Sequence, residues 1–172
     1  MTKALEMHYQ LAEEKDLEEI YILSQAAAKV AVYSKWGEDY PTREILENDI
    51  KQQYLYKIEQ DGKIYAIMKI MPWAEFQENE EADDIDTWDT SIKNPCSLGR
   101  FCISPELQGH GYGRKIMLYT MDFAKSLGYD GAFFHALDTD LVCLHLYDTL
   151  GYIRRGKVEE FGMGFICFEH KF

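Results

Sequence analysis

The stretch "LQGHGYGRKIML", residues 107–118, decides how this chain reads. Gly109, Gly111 and Gly113 fall on alternate positions, and the sequence then turns into an amphipathic helical pattern. Glycine tolerates φ > 0, so one such residue serves a tight turn. Three in alternation describe a backbone that comes close to something, with its N–H groups pointing at it. A strand, a glycine turn and a helix N-terminus form a general anion-binding arrangement, because end N–H groups and the positive end of the helix dipole converge there. Two phosphate motifs are not met. Gly113 is followed by Arg114-Lys115 rather than Lys-Ser/Thr, and the residue three after Gly111 is Arg114 rather than glycine. From spacing alone, a phosphate-bearing ligand and a merely tight turn stay equally open.

Outward from that stretch the chain alternates strand and helix signals. "LEMHYQL" reads as a strand, followed by a helix over about 16–33 with Leu17, Ile20, Leu23 and Ala27 on one face. "YPTREILENDIKQ" predicts a short helix from its Pro-Thr start, and "QYLYKIEQDGKIYAIMKIM" a hairpin about Asp61-Gly62. Residues 74–94 are expected to form a loop. "CSLGRFCI" is a strand, "SPELQ" leaves it, and the helix "YGRKIMLYTMDFAKSL" stops at Gly128. "GAFFHAL" is a strand, "TDLVCLHLYDTL" a helix stopped at Gly151, and "YIRRGKV" and "MGFICFEH" are closing strands. The expectation is a single α/β domain over residues 1–172 with a central sheet.

The chain's 172 residues are 47% hydrophobic and 14% aromatic, a globular composition long enough for one sizeable core. No apolar run approaches the ~18 residues that span a bilayer, and "MTKALEMHYQ" lacks a signal-peptide core, so a cytoplasmic location without a membrane partner is expected. Cys96, Cys102, Cys143 and Cys167 are scattered and read as reduced core thiols. The formal net charge of −12 argues against nucleic acid. Residues 1–95 carry 21 acids and 10 bases, a net of −11, whereas residues 96–172 carry 9 acids and 8 bases, a net of −1. The glycine stretch therefore lies in the part least repulsive to an anion.

Gln108-Gly109-His110-Gly111-Tyr112-Gly113 resembles the Gln/Arg-x-x-Gly-x-Gly/Ala signature of the GNAT superfamily of acyl-CoA N-acyltransferases. "FCISPELQGHGYG" resembles that family's strand, loop and helix start, and "DLVCLHLYDTLGYIRRG" its Asn-x-x-Ala-x-x-Leu-Tyr-x-x-x-Gly-Phe segment. The close match covers residues 96–156. It implies a mixed, mostly antiparallel central sheet with splayed strands flanked by helices, and acetyl-CoA as co-substrate. Phe101, Cys102 and Ile103 would offer backbone groups to the pantetheine arm, with an amide near Ile103 holding the developing oxyanion. The amides from Gln108 to Gly113, through Gly109, His110, Gly111 and Tyr112, would cradle the pyrophosphate. Arg114 and Lys115 would add charge, or simply be solvated. Tyr147 falls where the family has a tyrosine that protonates the departing thiolate; packing of its ring is the other reading. Asp140 stands where the family usually has Asn, and either meets the pantetheine or serves only as a helix N-cap. Cys143 stands for Ala, as apolar fill.

The acceptor amine must lose a proton before attack. His135 is the candidate base, directly or through water, against the reading of a satisfied sheet histidine. Glu75 and the carboxylates behind it are weaker candidates. The histidines and Cys143 show no metal-ligand spacing, so no metal is expected. "EFQENEEADDIDTWD" carries eight carboxylates between Glu75 and Asp89, as a solvated loop or as a collector of a cationic acceptor. Tyr33, Trp36 and Tyr40 would wall an acceptor pocket or lie in the core. The implied activity is acetyl transfer to a primary amine of a small molecule, polyamine or peptide; the alternative is a non-catalytic acyl-CoA-binding module. "GMGFICFEHKF" is apolar enough to join a homodimer.

Overall fold

The computed structural model of the protein describes residues 4–31, 40–80 and 83–172. Among these residues seven strands form one sheet: β1 (Tyr9–Leu11), β2 (Leu55–Gln60), β3 (Lys63–Pro72), β4 (Pro95–Ile103), β5 (Gly131–Leu137), β6 (Ile153–Glu160) and β7 (Met163–Lys171). Their order is β1-β2-β3-β4-β5-β7-β6. The β1–β2, β2–β3, β5–β7 and β6–β7 ladders are antiparallel, while β4 and β5 are parallel. That parallel ladder is short, with Pro95 facing Gly131 and Cys96 facing Ala132. Among the described residues five α-helices accompany the sheet: α1 (Leu17–Val30), α2 (Arg43–Lys51), α3 (Trp73–Glu80), α4 (Tyr112–Ser126) and α5 (Leu141–Thr149). The mixed, mostly antiparallel sheet with splayed strands is the expected fold class.

The chain forms two compact units. The first holds the described residues up to Lys69 together with Arg100–Tyr119. Its core is Ile20, Leu23 and Ala27 of α1, Leu46 and Ile50 of α2, and Leu55, Ile64 and Ile67 of β2 and β3, joined by Cys102. Helical spacing in α1 and α2 and alternation in the strands aim these side chains inward. Thr42 caps α2 by accepting from the Ile45 N–H at 3.2 Å. The hairpin turns through Asp61 (φ 52) and Gly62 (φ 76), the left-handed pair that a two-residue turn requires. Lys57 is buried beside Asp16 at 2.9 Å and also pairs with Glu59 at 2.5 Å, so its ammonium is compensated inside the unit.

The second unit holds Ile70–Gly99 and Thr120–Phe172 among the described residues. Here the chain departs from expectation: residues 74–80, expected in a loop, lie in α3, which starts at Trp73 directly from the end of β3. Trp73 and Phe76, three residues apart, fall on one face and stack with centroids 5.2 Å apart, and the apolar cluster they join outweighs the polar composition. The rest of the acidic run is not a simply solvated loop either. Asp89 N–H bonds Glu169 Oε2 at 2.8 Å, Thr87 Oγ1 bonds the Arg155 carbonyl at 2.8 Å, and Trp88 stacks on Phe133 at 4.3 Å. Buried Glu169 also receives Arg155 at 2.6 Å. Glu81 and Ala82 of this run lie outside the described residues, as do Tyr33 and Trp36. The expected first strand is confined to Tyr9–Leu11, and α1 ends at Val30, with residues 32–39 outside the described set.

β7 is paired on both sides, by β5 and β6, so its backbone is already satisfied. Among the described residues no helix is long and apolar enough to cross a membrane. All four cysteines are free thiols.

Gly131 carries the short parallel ladder, and a Cβ there would lie 2.7 Å from an Ile92 methyl and 2.8 Å from the His170 carbonyl. Gly131→Ala should lower stability by ~1–3 kcal/mol, read as a shift in urea midpoint. An unchanged midpoint would show that Ile92 moves aside freely.

Candidate active site

The first unit holds a strand end and a glycine loop. β4 runs to Ile103, Ser104 N–H then bonds the Tyr65 carbonyl at 2.8 Å, and a 3-10 turn, Pro105–Leu107, leads to the loop. The Gln108 side chain folds back, its Nε2 donating to the Ile103 carbonyl at 3.0 Å. This tie fixes where the loop starts relative to the strand. Gln108 N–H itself is committed to the Pro105 carbonyl at 3.2 Å, a use the sequence could not show. Gly109 and Gly111 adopt φ 76 and φ 78, and a Cβ on either would meet nothing within 4 Å. Their freedom therefore serves backbone conformation and an open approach rather than internal packing. Gly113 falls in the first turn of α4 instead.

Lys115 N–H reaches the Gly111 carbonyl at 3.3 Å, so the amides of Tyr112, Gly113 and Arg114 are helix-end donors. The first turn of α4 holds no acid but two cations, Arg114 and Lys115. Cations at a helix N-terminus oppose the dipole, a placement that an anion there would reverse. Lys115 Nζ lies 5.0 Å from the Tyr112 ring centroid. The residues fit a bound pyrophosphate: open left-handed glycines, end amides and positive charge coincide. Cys102 plays no polar part toward it. Its thiol is buried in the core near the Leu23 carbonyl and burial pushes it up to about 12.

The second unit, taken by itself, holds Asp140, Cys143 and Tyr147 on one side of α5. Asp140 accepts from the Cys143 N–H at 3.1 Å and is the helix N-cap, one of its two expected roles. Tyr147 is 7% exposed, with its ring edge-on to Phe134 at 5.0 Å and to Phe168 at 5.3 Å. Its ring therefore packs among aromatic side chains of the second unit. Burial, ahead of Cys143 and Asp140 nearby, holds its phenol well above 10, so it keeps its proton at neutral pH. Burial also pushes the Cys143 thiol up to about 12, with Asp140 adding to the effect. Cys143 is a protonated neighbour of Tyr147, not a nucleophile.

His135 on β5 is neither exposed nor a satisfied sheet histidine. Its side chain is 4% exposed, and Nδ1 lies 3.3 Å from Glu160 Oε1 without hydrogen-bond geometry, so both ring nitrogens are buried without a hydrogen-bond partner. Trp73 and Phe76 stand edge-on to the ring at 5.6 Å and 5.9 Å. Burial lowers its pKa from 6.5, partly offset by Asp84 and Asp83. Glu160 was not singled out from the sequence; it sits at the far end of β6 and accepts from the Asp83 N–H at 3.1 Å. Asp84 is held by Trp88 Nε1 at 2.7 Å and by Gln77 Nε2 at 2.6 Å. The acidic run thus meets the candidate base, whereas Glu75 lies exposed on α3. Tyr40 reaches the Arg100 guanidinium in the first unit. Among the described residues no three His, Cys, Asp or Glu side chains gather to hold a metal ion.

No curated protein matches the chain. Solved structures do resemble it. A GNAT-family acetyltransferase from Streptococcus agalactiae superposes with TM-score 0.77 at 19% identity, covering 98% of each chain. The PaiA N-acetyltransferase of Thermoplasma acidophilum, in complex with coenzyme A, superposes with TM-score 0.65 at 16% identity, covering 96% of this chain and 98% of that one. A Drosophila melanogaster polyamine N-acetyltransferase that forms N-acetylagmatine gives 0.67 at 13%, covering 96% and 99%. Identities this low speak for the fold alone. The sequence model described as "Acetyltransferase (GNAT) family" matches residues 17–152, from the start of α1 past the end of α5, and the chain belongs to that family.

Proposed function

We propose that the chain is an acetyl-CoA-dependent N-acetyltransferase that passes an acetyl group directly to a primary amine. The observation that carries this reading is the Gly109–Gly111 loop, left-handed and open, at the head of a helix whose first turn holds cations and no acid. Amides of Gly109 to Arg114 hold the pyrophosphate, and the backbone of Phe101, Cys102 and Ile103 takes the pantetheine arm. The Ile103 N–H holds the charge that develops on the thioester oxygen, a donor worth about 3 kcal/mol in such sites.

The amine lone pair attacks the thioester carbonyl, the C–S bond breaks, and the departing sulfur takes the proton of the Tyr147 hydroxyl. A phenol held well above 10 suits that task, because it arrives protonated at neutral pH. The amine proton leaves toward His135, directly or through water, with Asp84 and Asp83 favouring the charged form of the imidazole. Asp83, Asp84 and Glu160 around His135 support a cationic acceptor, a small amine, polyamine or peptide amine. The enclosure of His135 in aromatic rings is what favours the second reading, an acyl-CoA-binding module without turnover.

A thiol-release assay with acetyl-CoA across spermidine, aminoglycosides, lysine peptides and peptide N-termini tests the proposal. Turnover on one class should fall at least ~100-fold in Tyr147→Phe, with little change in melting temperature. Turnover untouched by that change removes Tyr147 from the role, and binding without turnover selects the module. Gly111→Val places a β-branched residue at φ 78, at a cost of about 1–2 kcal/mol. It should abolish the thermal stabilisation that CoA gives the parent protein.

The lowered pKa of His135 means that the unfolded chain binds a proton the folded one refuses. Its contribution to stability is complete above pH 6.5 and declines as pH falls below that value. Melting curves between about pH 7 and 5 should therefore fall less steeply for His135→Phe than for the parent chain. Parallel curves would mean that His135 protonates without penalty.

A further inference from the structure

Four residues other than glycine adopt left-handed φ among the described residues: Gln53, Asp61, Arg100 and Phe161. Gln53 comes after α2, and Asp61 and Phe161 sit in hairpin turns. Arg100 alone lies inside a strand, at φ 53 in β4. A side chain in that conformation is strained and persists only where its surroundings over-determine it. Such a residue also breaks the strand's alternation and re-aims the next residues along the chain, here Phe101, Cys102 and Ile103.

The surroundings are a buried charge cluster. Asp49 on α2 is 1% exposed, and its two oxygens are divided between two strands. Oδ1 takes Lys69 Nζ from β3 at 2.6 Å, and Oδ2 takes Arg100 Nε from β4 at 2.9 Å. Another nitrogen of the Arg100 guanidinium reaches the Tyr40 hydroxyl. Buried ion clusters are often no more stabilising than apolar packing of the same volume, so stability alone does not account for this one. A planar guanidinium held at two edges, in contrast, has little freedom to turn, and its anchoring limits where the backbone of residue 100 can lie.

We propose that Asp49 is a positioning residue: with Lys69 alongside, it grips Arg100 and so holds the left-handed turn in β4 that aims the Phe101–Ile103 backbone at the thioester. The inference rests on the acyl-CoA reading of the glycine loop. It assigns a task to three residues that the glycine signature does not include.

Acetyl-CoA affinity by titration calorimetry, with melting temperature beside it, tests this in Asp49→Asn, Arg100→Ala, Arg100→Gly and the double variant Asp49→Asn/Arg100→Gly. Glycine takes φ 53 without the strain a side chain brings, so Arg100→Gly should bind about tenfold more tightly than Arg100→Ala. Asp49→Asn should weaken binding, and that loss should vanish when residue 100 is already glycine. Equal losses in the glycine and alanine variants would overturn the proposal, as would lower melting temperatures with affinity unchanged throughout. A parent protein that does not bind acetyl-CoA would instead remove the acyl-CoA reading. Amide exchange at residues 101–103 in ligand-free protein then still decides the matter: faster exchange in Asp49→Asn upholds the grip, and unchanged exchange removes it.

Discussion

A backbone group that a strand leaves unpaired must find another partner, and this constraint shapes the molecule around β4. Its ladder with β5 lasts only from Pro95–Gly131 to Cys96–Ala132. Beyond it the strand bends at Arg100, passes Ile103, and hands its carbonyl there to the Gln108 side chain. The glycine loop and the head of α4 come within a few residues. A short parallel ladder thus leads directly to the stretch of chain proposed to meet the acyl-CoA through its backbone rather than its side chains.

The two units treat charge differently. In the first, carboxylates are taken inside and matched: Asp16 with Lys57, and Asp49 with Lys69 and Arg100. In the second, the acidic run is drawn onto strands by its backbone and by Trp88, leaving Asp83 and Asp84 near a histidine whose nitrogens lack hydrogen-bond partners. The first pattern holds geometry. The second keeps negative potential beside a neutral imidazole, which helps an ammonium approach and raises the affinity of that imidazole for its proton.

Features encoded by local chemistry were legible in the sequence. Asp61-Gly62 specifies its hairpin, Gly128 and Gly151 stop their helices with φ 99 and φ 81, and Gly109 and Gly111 take the left-handed conformations their spacing suggested. Asp140 as a cap is equally expected from its position before an apolar helix. The helix at Trp73–Glu80 did not read as one, because two aromatic residues in a polar run give little periodicity and its support comes from Phe133. The anchoring of Asp89 by Glu169 spans 80 residues, and that of Asp49 by Arg100 spans 51. No window along the chain contains such pairs. The missed contributors to the site, Glu160 and Asp49, were missed for that reason.

The cysteines carry a practical consequence. Burial pushes Cys96, Cys102, Cys143 and Cys167 each up to about 12, so at neutral pH these thiols keep their protons. A disulfide dye added to the folded protein therefore meets almost no thiolate from the polypeptide. Colour that develops belongs to sulfur set free in solution, and a slow rise in the blank becomes a gauge of how often the chain opens.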